Sequence, residues 1–186
     1  MTQARAALVL SAALLIAGVA LAASTTGAAQ TKADQVAADL SLKETAIARV
    51  LDARAGFFAD VEIDIFSGDA LLTGRVATVQ EKAQATALVR SVPGIQTVTN
   101  EIQVGAVGDV KRMTNDLILE RQIRKEMRAV FGKRMPRLSW RATNGVVYVF
   151  GHARTEWEHN RTLALVKKIR GTTRVVDLLR ITTAGG

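Results

Sequence analysis

The chain's most concentrated chemistry is cationic. Residues 107–186 carry seventeen Lys and Arg against seven Asp and Glu, a net +10, whereas residues 37–106 carry six against nine, a net −3. A charge of that density attracts a polyanion. Within it, Trp157, Arg161, Ala164 and Lys168 recur at a spacing that puts them on one sector of a helix, with Leu165, Val166 and Ile169 on the other side. An indole set among cations suits a lipid interface, the ring at headgroup level and the cations on phosphates. Lys167 adjoins the set. An outward Trp157 and one packed on the linker or the neighbouring half of the chain are both compatible with this spacing. A second basic stripe, Arg121, Arg124, Lys125 and Arg128, also clusters at helical spacing, as a solvated helix face does.

Other chemistries lack their residues. There is no cysteine, which excludes disulfides, thiol nucleophiles, zinc–thiolate sites and a lipid-modified N-terminal cysteine. His152 and His159 are the only histidines and read as surface residues. No Ser-His-Asp set, paired-carboxylate motif, P-loop or dinucleotide fingerprint occurs. Asp60, Glu62, Asp64 and Asp69 read as a turn and an exposed strand face. No catalytic residue, cofactor or metal site is expected. Aromatic residues are 4% of the chain, too few for a base-stacking platform.

The elements that must position these residues are written twice. Shifting the chain by 77 positions carries Gly68 onto Gly145, Gly74 onto Gly151 and Gly94 onto Gly171. The same shift takes Val61, Ile63 and Ile65 onto Leu138, Trp140 and Ala142, and Val98 onto Val175. A constant register over so many positions marks an internal duplication. Upstream, a shift of 76 pairs Ile47 and Leu51 with Ile123 and Met127. In each copy a helical period precedes an alternating strand, a Gly turn, a second strand, a helix opened by Thr78 with Glu81 or Thr155 with Glu158, and a last strand. The fold class is therefore α+β, two tandem αββαβ units, each a three-stranded sheet packed by two helices. Gly68, Gly74, Gly94, Gly145, Gly151 and Gly171 are expected to be structural, Gly74 and Gly151 closing a strand before the second helix.

The first residues read as an export signal. Arg5 precedes a strongly apolar run ending at Ala20-Leu21-Ala22, a small-x-small cleavage pattern; an uncleaved anchor is the alternative. The expected organisation is a signal peptide over 1–22, a flexible leader over 23–36, a first domain over 37–106, a linker over 107–112 and a second domain over 113–186.

The stretch Gly68-x-x-x-Leu72-x-Gly74-x-Val76, with the ending Val92-Pro93-Gly94 and Val98-Thr99-Asn100-Glu101-Ile102, resembles the BON domain family of bacterial envelope modules. The second copy ends Ile169-Arg170-Gly171 and Val175-Val176-Asp177-Leu178-Leu179, without the proline and with Ala153 in place of the valine. The resemblance implies a non-catalytic, exported periplasmic protein, binding phospholipid or envelope partners and linked to outer-membrane integrity and osmotic stress. The expected partner is anionic phospholipid or another envelope polyanion, with an envelope protein as a further partner; export and scarce aromatics disfavour nucleic acid. The alternative is a soluble periplasmic chaperone or protein-interaction module that touches no lipid.

Overall fold

A computed structural model describes residues 24–53 and 60–182. The expected signal segment lies outside the described residues. The described residues from Val36 onward belong to one compact unit, and all packing given below lies within it. Helix α1 spans Ser24–Ala53. The segment expected to be a leader is thus helical from Ser24 onward.

The first repeat continues with β1 (Val61–Phe66), β2 (Asp69–Val76), α2 (Val79–Arg90), β3 (Thr97–Asn100) and the short β4 (Gln103–Val104). The second has α3 (Val110–Phe131), β5 (Arg137–Thr143), β6 (Val146–Ala153), α4 (Glu156–Lys168) and β7 (Arg174–Ile181). In both sheets the central strand pairs antiparallel with the first strand and parallel with the last. The registers coincide at the predicted shift: Val61 faces Gly74 as Leu138 faces Gly151, and Ala70 faces Val98 as Val147 faces Val175.

Local chemistry explains the elements. Ser67-Gly68 and Asn144-Gly145 take positive φ at both residues, the two-residue turn whose twist suits a hairpin. Thr78 accepts from the Glu81 amide while the Glu81 carboxylate accepts from the Thr78 amide, closing the predicted capping box. Thr155 caps α4 in the same way, but the Glu158 carboxylate turns to the Arg154 amide and guanidinium, so that box is not reciprocated. Asp109 caps α3, whose first turn lies within the segment expected as the linker, 107–112.

Three apolar clusters set the layering. Ala46 and Val50 of α1 and Ala85 and Val89 of α2 cover Ile63, Ala70 and Leu72 on one face of the first sheet. Leu119, Ile123, Met127 and Val166 cover Val147 and Val149 on the second. The opposite faces meet each other, with Leu71 and Phe66 packing on Tyr148, Phe150, Val176 and Leu178. The result is four layers, helices–sheet–sheet–helices.

The structure corrects two further readings. The shift of 77 holds through the first helices: Ala46 and Val50 occupy the places of Ile123 and Met127, buried in both repeats. The one-residue offset expected there is absent, and Ile47 and Leu51 are exposed. One residue turns a helix by about 100°, enough to exchange its buried and exposed faces. Asp64, read as solvent-facing, is buried at 8% exposure, because the second sheet covers the face on which it stands. Arg141 of β5 donates to it through Nε at 2.6 Å and a terminal nitrogen at 2.9 Å, and Lys43 Nζ adds a bond of 2.9 Å.

Candidate functional site

A groove of about 500 Å³ runs along the outer surface of the second repeat between α3 and α4. Val130, Leu165 and Ile169 give it apolar walls; Lys125, Arg161, Lys168 and Arg170 stand around it, with Glu126 the acidic lining residue. The amphipathic period of α4 produces this arrangement. Thr162 and Val166 face the sheet, which leaves Arg161, Ala164 and Lys168 outward. The groove's far side comes from α3, whose buried row Leu119, Ile123, Met127 and Phe131 turns Lys125 and Glu126 toward solvent.

Trp157 stands one helical turn before Arg161. It is 63% exposed, and its ring meets Phe131 edge-on, centroids 5.9 Å apart and planes at 79°. Its ring contact thus lies within its own repeat, with most of the ring in solvent. Phe131 is itself buried and holds the indole at the end of α3. Lys167 is exposed but does not line the groove.

The second basic stripe divides. Lys125 reaches the α3–α4 groove, and also borders a shallower surface with Arg121, Arg124 and Arg128 beside Leu117 and Glu120. Lys125, read with the second set, thus borders both surfaces. Arg170 was missed as a groove residue. It follows the end of α4, where Ile169 is already extended, so no helical period could place it.

Neither histidine is a simple surface residue. His159 Nε2 lies 2.8 Å from Asp177 Oδ2, linking α4 to β7. His152 packs edge-on against Phe66 across the repeat interface, 4.8 Å between centroids. Burial, with Arg137 and Arg180 nearby, holds the His152 imidazolium below its usual pKa. Glu120 lies above the usual carboxylate range because burial, together with Glu62 and Asp64, outweighs the Ala142 amide and Arg141 that favour its charge. Among the described residues no group of three His, Asp or Glu could hold a metal ion, and no helix is long and apolar enough to cross a membrane. The groove presents cations and apolar walls, chemistry for holding an anionic amphiphile.

A family model described as the BON domain matches residues 38–106 and 115–183. Among curated proteins, an uncharacterized protein in the gshII 5′ region of Anaplasma centrale is 27% identical over 127 residues, covering 68% of this chain and 84% of that one. The outer membrane lipoprotein DolP of Haemophilus influenzae is 26% identical over 115 residues, covering 62% of this chain and 59% of DolP. Among solved structures, the C-terminal domain of CdsD, a structural protein of the type III secretion system of Chlamydia trachomatis, aligns at a TM-score of 0.30 and 13% identity, over 73% of this chain and 63% of that one.

Proposed function

Because the chain belongs to the BON domain family, we propose that it is a non-catalytic envelope-binding protein of the periplasm, docking on anionic phospholipid through its second repeat in support of envelope integrity and osmotic stress tolerance. The observation that carries this reading is the groove between α3 and α4. Lys125, Arg161, Lys168 and Arg170 surround its apolar walls, with the exposed Trp157 one turn away. Cations near an anionic surface contribute about 1 kcal/mol each, and an inserted indole adds apolar burial that salt does not screen. The name of DolP, an outer membrane lipoprotein, supports an envelope setting. The sequence contains no cysteine, and the surface described would supply the contact with phospholipid.

Co-sedimentation of the full chain with vesicles tests the proposal. Binding is expected with phosphatidylglycerol present and not with phosphatidylcholine alone; equal binding to both, or to neither, would refute it. A second reading, a protein-interaction module without lipid binding, draws support from the first repeat. Val36, Leu40, Ile47 and Leu51 form an exposed apolar row along α1, and the counterparts of the last two are Arg124 and Arg128. Retention of a protein partner by a chain that binds no vesicle would favour that reading.

A further inference from the structure

The interface between the two sheets has a near-twofold character. Phe66 packs on His152, next to Gly151. Its counterpart one repeat later, Thr143, accepts from the amide of Gly74, the counterpart of Gly151. At such an interface a residue near the axis meets its own equivalent. Here that residue is Asp64, and its equivalent is Arg141, joined by the two hydrogen bonds of 2.6 and 2.9 Å.

The helix charges flanking this pair are also equivalents of opposite sign. Lys43 of α1 binds Asp64 at 2.9 Å, and Glu120 of α3, one repeat later, lies 3.9 Å from Arg141. The first repeat thus offers a helix cation and a strand anion, and the second a helix anion and a strand cation. Glu62 reinforces the sense, 2.7 Å from Arg141. The apolar contacts carry no comparable distinction. Leu71 and Phe66 on one side and Tyr148, Phe150, Val176 and Leu178 on the other would bury surface in any combination. Pairing two first repeats would set Asp64 against Asp64, and pairing two second repeats Arg141 against Arg141, each a like charge beneath packed sheets.

We propose that this surface is charge-keyed, accepting only the unlike repeat, whether in the same chain or in a second copy. Lys43, Asp64, Glu120 and Arg141 form the key, and its order keeps each repeat from pairing with its like.

Two half-inversions of the full chain test this. K43E/D64R gives both repeats the charges of the second, and E120K/R141D gives both those of the first. Each alone is expected to lower Tm by roughly 6–12 °C, the scale of a buried pair broken on one side. The fourfold variant, made with Glu62→Gln so that no carboxylate opposes R141D, inverts the key while preserving complementarity and should return most of that loss. The two half-inverted chains, unfolded and refolded together in equal amounts, have complementary repeats only in trans. They should form a 1:1 dimer by light scattering. A fourfold variant that melts no higher than the half-inversions would overturn the proposal, as would half-inversions with the parent Tm or a co-refolded mixture that remains monomeric.

Discussion

Gly74 and Gly151 show how much one residue can decide. Both lie within their strands, two residues before the end, rather than closing them. Their φ values are 99° and 114°, a region side chains rarely adopt. A Cβ at Gly74 would stand 1.8 Å from the Asp60 carbonyl oxygen, and one at Gly151 2.6 Å from that of Arg137. In each case the obstacle is backbone, which cannot swing aside. Gly74→Val is expected to destabilise the protein by about 1–3 kcal/mol or more, read as a fall in Tm; an unchanged Tm would contradict this role. His152 makes a second prediction at this scale. Its native pKa is depressed, so the unfolded chain takes up the proton first as pH falls below the ordinary value of 6.5. The associated stability is present above that value and lost as pH falls through the native pKa. Glu120 has the opposite sign: its raised native pKa stabilises at low pH and is lost as pH rises through it. His152→Gln should therefore reduce the fall in Tm between about pH 7 and about pH 5, and an unaltered profile would count against it.

At the scale of elements, each hairpin is tied to the helix before it by one aspartate. Asp39 of α1 accepts from the amides of Ser67 and Gly68 at 2.8 and 3.1 Å. Asp116 of α3 accepts from those of Asn144 and Gly145 at 2.8 and 2.9 Å. These carboxylates satisfy amides that the tight turn leaves without a ladder partner. Asp116→Ala is expected to cost about 1.5–3 kcal/mol, measured by urea denaturation. The α4 face carries the functional prediction. Arg161→Glu with Lys168→Glu should abolish most vesicle binding at low salt, since both cations line the groove and reversal adds repulsion. Trp157→Ala should weaken the binding that survives high salt, because apolar insertion is not screened. A charge-reversed helix that still bound anionic vesicles fully would move the site elsewhere.

For the whole molecule, the decisive feature is that the two sheets share a core. Tyr148 and Leu71 are 1% and 4% exposed because each sheet lids the other. The Tyr148 hydroxyl donates to the Glu101 carbonyl oxygen of the first repeat at 3.3 Å, and Arg180 pairs with Asp69 at 2.8 Å. A fragment of residues 107–186 would present Tyr148, Phe150 and Leu178 to water. We expect it to fold, to stay monomeric because pairing with its like would set Arg141 against Arg141, and to bind a hydrophobic dye where the full chain does not. A dye-silent fragment would show that the interface contributes little, and one that dimerised through this face would count against the charge key.

The duplication, the order of elements, the capping threonines and the turn glycines were all legible from residue types and spacing. They depend on local geometry, and the second copy repeats the first at a constant interval. The exposed, cationic outer side of α4 was legible for the same reason, since a helical period separates the residues that face a sheet from those that do not. The burial of Asp64 was not, because strand alternation assigns a face without saying whether another sheet covers it. Nor was the exposure of Ile47 and Leu51, apolar residues next to the buried Ala46 and Val50. Their types favoured the wrong row, and only the pairing of strands with helices selected the right one. The groove itself joins residues of α3, α4 and the turn after α4, a proximity decided by how two helices lie on one sheet.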